Sequence, residues 1–277
     1  MPIQRSGFGG RHGSKSTRAS GKQNIVDRAG SKHNLIRSIA GSDIATWLDM
    51  TLTSNVMDAA VTSIDTIEGI APANGTNAPD AVYSSVLNST AYHFDTDEAL
   101  KYDNGVGPGA SGLFPAGLKL LTIAARWCIV STPSNNLLFE LGNSDWYMLD
   151  GGIVLGAADA TGTKFYAGIG DAGASDRSWF INVLAPKNTA FGTVTTYDLN
   201  ANPDTIKYYK DGPALAQGGQ LNKNVTHAVD VTQKAFIGNR ADNGSLCLDG
   251  HLSDFIIIMR ELNDSESNRL SLAFSIA

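Results

Sequence analysis

The chain has 277 residues, of which 42% are hydrophobic and 17% charged, and it contains 29 glycines. This length accommodates one large β-sandwich with an appendage or two small domains, and the composition is typical of a turn-rich, all-β protein. No run of about 18 apolar residues occurs, which excludes a membrane-spanning helix. The first ten residues lack an apolar core, so we expect no secretory signal.

The charge is unevenly distributed along the chain. Eight of the 21 Lys and Arg residues and one of the 27 Asp and Glu residues lie in residues 1–40, which gives this part +7 and leaves −13 for the rest. The sequence therefore predicts a basic extended arm over 1–40 that binds a partner. Its basic residues are Arg5, Arg11, Lys15, Arg18, Lys22, Arg28, Lys32 and Arg37.

Two kinds of partner suit a basic arm. Nucleic acid would be held through its phosphates, but Phe8 is the single aromatic side chain of the first 33 residues that could stack on a base. Docking onto the acidic surface of a neighbouring protein subunit is therefore favoured over nucleic acid.

The segment after the arm has no clear period. Apolar residues between 34 and 57 are mixed in spacing, so a short helix and a first strand both remain open. Residues 58–91 are small, polar and interrupted by Pro72 and Pro79, which favours an extended connection. We expect 41–91 to connect the arm to the folded body or wrap over it.

From Tyr92 onward the sequence predicts strand after strand. The clearest are Leu118–Val130 and Ile206–Lys210, the second of which enters a hairpin turn at Asp211-Gly212. This spacing predicts an antiparallel sandwich over 92–277.

The chain ends in an apolar strand and a helix. Residues Phe255–Met259 are apolar at every position, as in a strand that is covered on both faces. Asn263 and Glu266 have the spacing of a capping box, so a short C-terminal helix should follow.

These C-terminal motifs carry a resemblance to a known family. The segments Ile237–Arg240, Asp249-Gly250 and Ser253–Ile257, with Leu262 and Glu266, resemble the end of a laminin-G-like, concanavalin A-like jelly roll. The resemblance spans residues 92–277 and implies an all-β fold, an antiparallel jelly-roll β-sandwich. The charge pattern adds an extended N-terminal arm, and the capping box adds a short C-terminal helix. It implies no single function, because this fold hosts many.

No catalytic residue is predicted. Glycoside hydrolases of this superfamily need two carboxylates on one face, yet of the five glutamates only Glu140 lies within a predicted strand, where alternation predicts that it faces solvent. A glycoside hydrolase is therefore the least favoured function, and we expect no enzyme.

Metal ligands are equally sparse, and no cofactor is predicted. The five histidines are scattered in the sequence, which gives no metal motif. Related sandwiches often bind calcium through rim loops, for which Asp242-Asn243 and the pair Asp171 and Asp176 are candidates, although ordinary turn residues look the same. Cys128 and Cys247 are predicted to be buried thiols.

A sugar would need an aromatic platform with polar neighbours. Candidate glycan contacts are Trp146, Tyr147 and Trp179, with Tyr208 and Tyr209 as further aromatic residues in predicted strands.

An acidic jelly roll, a basic arm and the lack of a catalytic constellation together resemble a structural protein of a bacteriophage virion. Such a protein, a head-decoration or tail-associated component, would be assembled in the host cytoplasm and would bind neighbouring virion subunits through its arm. A homo-oligomer and a host-surface glycan are the further partners expected. The alternative is a free carbohydrate-binding, lectin-like module.

Overall fold

The computed structural model describes the chain in segments. These are residues 31–50, 55, 57–62, 64, 66–69, 71–75, 77–95, 97–102, 113–131, 135–142, 151–158, 164–170, 177–200, 205–215, 217–218, 229, 234–239 and 247–276.

The described residues form two helices and seventeen strands. The helices are α1, residues 31–40, and α2, Asp264–Ser275. The strands are β1 (Ile44–Asp49), β2 (Ala59–Ala60), β3 (Thr66–Gly69), β4 (Ala73–Asn74), β5 (Asp80–Ser84), β6 (Ser89–Phe94), β7 (Leu100–Tyr102), β8 (Leu120–Ile129), β9 (Asn135–Leu141), β10 (Ile153–Ala158), β11 (Lys164–Ile169), β12 (Arg177–Leu184), β13 (Phe191–Asp198), β14 (Thr205–Lys210), β15 (Gln217–Gly218), β16 (Ala235–Ile237) and β17 (Gly250–Ile258).

The strands pair into two antiparallel sheets that pack as a sandwich. The first sheet runs β14-β13-β8-β17-β6-β5-β2, with β1 paired to β17 and β3, and the second runs β15-β12-β11-β10-β9-β16-β7-β4. The predicted all-β sandwich with a short C-terminal helix is confirmed.

Strand β17 is the centre of the first sheet, because it has two partners on one of its edges. β1 pairs with residues 254–258 and β6 with residues 250–252, so these two strands lie end to end along β17. The other edge of β17 pairs with β8, and the register shifts between Leu252 and Asp254. The meeting point of β1 and β6 is therefore a bulge, where the regular ladder is interrupted.

The core between the sheets is rich in aromatic side chains. The fully buried Trp127 lies edge-on to Phe165 and Phe191, with ring centres 6.0 and 5.6 Å away. Its indole Nε1 donates a hydrogen bond of 3.0 Å to Thr193 Oγ1. The ring thus fills the inter-sheet space with its one polar atom satisfied, as a buried tryptophan requires.

The two helices form a third layer on the outer face of the first sheet. Ile256 and Ile258 of β17 pack there with Leu270 and Phe274 of α2 and with Ile36 of α1. Phe255 and Ile257 point the other way, into the inter-sheet core. The prediction that this strand is covered on both faces is confirmed.

The C-terminal helix begins at the capping box that the sequence predicts. Asn263 Oδ1 accepts from the Glu266 backbone nitrogen at 3.0 Å, and Glu266 Oε2 accepts from the Asn263 nitrogen at 3.0 Å. Arg260 forms a two-pronged bond to the same Glu266 carboxylate, with both N···O distances 2.9 Å. The carboxylate therefore fixes both the start of α2 and the turn before it.

The domain boundaries predicted from sequence require correction. Residues 31–40 form a helix rather than part of an extended arm, because Ile36 and Ile39 have a buried apolar surface to pack on. The sandwich begins at β1 rather than near Tyr92, and residues 58–91 contribute β2 to β6 instead of a plain connection. For residues 34–57 the sequence leaves both a helix and a strand open, and the structure contains both: the end of α1 and the whole of β1.

Candidate functional site

The basic residues of the predicted arm separate into two groups. Arg37 and Lys32 lie on α1, against the body of the same chain. The other six, Arg5, Arg11, Lys15, Arg18, Lys22 and Arg28, lie outside the described residues.

Lys32 lies between two buried carboxylates. Its Nζ is 2.8 Å from Asp49 Oδ2 and 2.5 Å from Asp254 Oδ1, and the two aspartate side chains are 0% and 2% exposed. His33 Nε2 also contacts Asp49 Oδ2, at 2.7 Å. Burial alone would lower the pKa of Lys32, but the two carboxylates outweigh it and raise that pKa above its ordinary value. Lys32 is therefore a charged link between α1, β1 and β17.

Arg126 of β8 extends this charged cluster across the sheet. Its guanidinium donates to Ser89 Oγ at 3.3 Å, and the residue is 5% exposed. Burial lowers the pKa of Arg126, while the negative charge of Asp254 opposes that effect. The cluster lies at the bulge where β1 and β6 meet, so polar side chains occupy the interruption of the ladder.

A row of Asp, His and Cys side chains crosses the outer face of the first sheet, closer to one end of the sandwich. Asp80 of β5 is opposite His93 of β6, His93 is opposite His251 of β17, and His251 is opposite Cys128 of β8. The imidazole rings of His93 and His251 have centres 5.1 Å apart. Burial, together with the neighbouring His93, lowers the pKa of His251 to about 4.

Both cysteines are free and buried, as the sequence predicts. Cys128 packs with Leu87 and Ala91 on the outer face of the first sheet. Burial raises the pKa of the Cys128 thiol and of the Cys247 thiol, so both are protonated at neutral pH.

The structure describes the position of one of the three predicted glycan contacts. Trp179 lies on β12, opposite Ala167 of β11, while Trp146 and Tyr147 lie outside the described residues. Tyr208 and Tyr209 are 0% and 1% exposed, so neither can serve as a platform for a sugar, and this interpretation is wrong for both. Tyr208 and Tyr209 are consecutive and so point to opposite faces of β14. The alternating pattern of the sequence could not show that both faces are covered at this point.

Sequence reasoning missed a different aromatic residue. Tyr83 on β5 is 60% exposed. Its hydroxyl donates to Asn88 Oδ1 at 2.7 Å across the β5–β6 turn, and Thr90 is its cross-strand neighbour. An exposed ring flanked by amide and hydroxyl groups is the combination that a sugar face requires.

Glu140 is on the outer face of the second sheet, opposite Val154 and Phe236. It is 0% exposed, so the prediction that it faces solvent is wrong. Alternation correctly assigns Glu140 to the outer face, but that face is itself covered at this position.

The calcium candidates Asp171, Asp176, Asp242 and Asn243 lie outside the described residues. Across the segments that the structure describes, no three His, Cys, Asp or Glu side chains converge closely enough to hold a metal ion. In the same segments, neither helix has the length and apolar character needed to cross a bilayer.

Acidic residues gather at the end of the sandwich beside β6 and β7. Glu98 Oε2 accepts from the Asp95 nitrogen at 2.7 Å, and Asn77 Nδ2 donates to Asp97 Oδ2 at 2.6 Å. Burial raises the pKa of Glu98 to about 7, and the negative charges of Asp80, Asp95 and Asp97 add to this effect.

Replacing Glu98 with glutamine should therefore stabilise the protein at alkaline pH. The folded chain holds the Glu98 proton more tightly than the unfolded chain, so stability falls as pH rises from the ordinary value of 4.5 through about 7. Because the side chain is partly in solvent, we expect a gain of about 1 kcal/mol at pH 8. Urea unfolding of both proteins at pH 8 and pH 4 checks this, and an equal gain at both values would contradict it.

Comparison with known structures identifies the class of fold. A structure of botulinum neurotoxin type C, whose cell entry depends on interaction with two ganglioside molecules, superimposes with a TM-score of 0.56 at 14% identity, over 86% of this chain and 53% of that one. The binding domain of botulinum neurotoxin serotype D/C gives 0.54 at 14%, over 84% and 53%. Trypanosoma rangeli sialidase gives 0.54 at 15%, over 92% and 39%.

These matches show that the two-sheet β-sandwich of this chain is similar in fold to the neurotoxin binding domains and the sialidase. The chain spans about half the length of the neurotoxin structures and 39% of the sialidase. At 14–15% identity the likeness establishes the fold alone. No protein-family model and no curated protein matches the sequence.

Proposed function

We propose that this chain is a carbohydrate-binding, lectin-like β-sandwich. The observation that carries the proposal is the two-sheet antiparallel architecture with an exposed, hydrogen-bonded aromatic ring at its edge. Among the superimposed proteins, the type C neurotoxin interacts with gangliosides, and the sialidase forms a covalent intermediate with 2,3-difluorosialic acid. Gangliosides and sialic acid glycans are therefore the first ligand classes to test.

The β5–β6 hairpin supplies the best-supported contact surface. Tyr83 presents its ring to solvent while Asn88 holds its hydroxyl, and Leu87 anchors the turn by donating its backbone nitrogen to Ser84 Oγ at 3.1 Å. A ring held by a rigid hairpin loses little entropy when a sugar stacks on it. Trp179, with Trp146 and Tyr147, is retained as a further proposed contact.

A glycan array probed with the full chain tests this proposal. We expect binding by the wild-type protein, a loss of about tenfold in affinity for Tyr83→Ala, and retention for Tyr83→Phe, which keeps the ring. Wild-type affinity in the alanine variant would contradict the role of Tyr83. No binding by the wild-type chain would contradict the lectin function itself.

We further propose that the protein does not hydrolyse the glycan that it binds. Glu140, the one carboxylate that the sequence singles out within a strand, is fully buried. Incubation with a bound glycan should release no product, as measured by mass spectrometry. Product release that Glu140→Gln abolishes would contradict a non-enzymatic function.

A second candidate function, a bacteriophage virion component, is supported by the charge distribution. Residues 1–30 hold six basic residues and one acidic residue, a net charge of +5 next to an acidic body. In this proposal the segment docks onto neighbouring virion subunits while the sandwich is displayed. Particles assembled with a chain that begins at Ser31 should lack the protein, and normal incorporation would contradict the proposal.

The position of that truncation follows from the structure. Removing residues 1–40 would also delete α1 and the Lys32 contacts with Asp49 and Asp254. In such a variant, a loss of docking could not be distinguished from a loss of folding. The truncated chain therefore begins at Ser31.

A further inference from the structure

Two histidines far apart in the sequence are direct neighbours on the outer face of the first sheet. His93 of β6 and His251 of β17 are paired across adjacent antiparallel strands. Directly opposite residues project from the same face with Cβ atoms about 5 Å apart. The two imidazoles therefore share one short stretch of surface, which no sequence spacing could show.

The separation of the rings suits a shared metal ion. Their centres are 5.1 Å apart and their planes are inclined by 70°. Two imidazoles bound to one tetrahedral zinc ion, with Zn–N bonds of about 2.0–2.1 Å, place their ring centres roughly 5 Å apart. Small side-chain rotations can therefore turn one nitrogen of each ring toward a common point.

The second nitrogen of His251 already has a partner. Its Nδ1 is 2.7 Å from Ser84 Oγ, a buried hydroxyl on β5. When Nδ1 donates to that hydroxyl, Nε2 keeps the lone pair that a metal ion needs. This is the supporting hydrogen bond that metal-binding histidines commonly make.

The surrounding charge favours a cation. Asp80 lies opposite His93 on the far side from His251. Asp249, two residues before His251, adds a second negative charge that acts on that ring. No three ligating side chains converge in the described segments, so water would complete the coordination sphere of an ion that the two rings hold.

We propose that His93 and His251 form a two-imidazole chelate for a divalent transition-metal ion of the zinc, nickel and copper class. Imidazole nitrogen is a suitable ligand for all three of these ions, whereas calcium prefers oxygen ligands. The site is independent of the glycan function.

Calorimetric titration of the full-length protein with zinc chloride tests the proposal. We expect one ion bound per chain, and at least tenfold weaker binding in His93→Gln and in His251→Gln. His33→Gln is the matched control, because that imidazole contacts Asp49 elsewhere on the chain and should leave zinc affinity unchanged. His12 and His227 are present in every variant, so any background from them cancels.

A spectroscopic measurement keeps the test independent of variant folding. The electron paramagnetic resonance spectrum of the wild-type protein with one equivalent of copper(II) should show hyperfine coupling to two imidazole nitrogens. A spectrum without that coupling, or zinc affinity that is equal in wild type and both pair variants, would overturn the proposal.

Discussion

Replacing Lys32 with alanine should lower the free energy of unfolding by about 3–5 kcal/mol, as breaking a buried ion pair does. The Lys32 ammonium is within 2.8 Å of Asp49 and 2.5 Å of Asp254, and both carboxylates are almost completely buried. Without the lysine, the buried Asp49 and Asp254 carboxyl groups would lose the cation between them, and burial would favour protonation of Asp254, whose pKa it already raises. Urea unfolding followed by circular dichroism measures the loss.

Arg37 provides the matched control on the same helix. Its side chain is 54% exposed, and its Nε atom is 3.8 Å from Glu68 Oε2. Exposed pairs of this kind contribute at most about 1 kcal/mol, and the guanidinium's contact with the Trp47 ring, whose centre is 5.8 Å away, adds about 0.5–1 kcal/mol, so Arg37→Ala should cost clearly less than Lys32→Ala. Equal losses for Lys32→Ala and Arg37→Ala would contradict the idea that α1 is attached through Lys32.

Replacing Trp127 with alanine should cost about 3–5 kcal/mol, because the cavity left between the sheets cannot collapse fully. The indole is completely buried between Phe165 and Phe191, and its Nε1 satisfies Thr193 Oγ1. Thermal unfolding monitored by near-ultraviolet circular dichroism would report the loss.

Trp127→Phe gives a graded comparison at the same position. Phenylalanine keeps an aromatic ring but leaves a smaller cavity and removes the donor to Thr193, so its loss should fall between wild type and alanine. A phenylalanine variant that is no more stable than the alanine variant would contradict packing as the cause.

Local signals near the C-terminus were sufficient to predict structure. The apolar run of β17 predicts a strand covered on both faces, and its alternate residues do pack on opposite sides of the sheet. Asn263 and Glu266 predict the start of α2, and the reciprocal hydrogen bonds are present. The capping box joins residues three positions apart, and the burial of β17 follows from the apolar residues of that strand alone, so both are readable from a short stretch of sequence.

The contacts of Lys32 could not be predicted in the same way. Lys32 and Asp254 are 222 positions apart, so composition alone placed the lysine in a basic arm. The burial of Glu140 and the pairing of His93 with His251 likewise depend on which strands become neighbours. The alternation of residues along a strand predicts which face of the sheet a side chain is on. The order of the strands in the sheet decides which other residues cover that face.

The charge distribution has a different meaning once α1 is assigned to the body. Two of the eight basic residues, Lys32 and Arg37, lie on the helix, and Lys32 neutralises buried acids of its own chain. The remaining six, in residues 1–30, are those available to the proposed docking function. The two proposed functions, glycan binding by the sandwich and docking by residues 1–30, therefore depend on separate parts of the chain.

The most direct measurement is glycan binding by the full chain and by a chain that begins at Ser31, compared on the same array. The lectin proposal predicts that both proteins bind the same glycans with the same affinity, because the proposed contacts at Tyr83 and Trp179 lie in the sandwich. Loss of binding on removing residues 1–30, or no glycan binding by either protein, would contradict it.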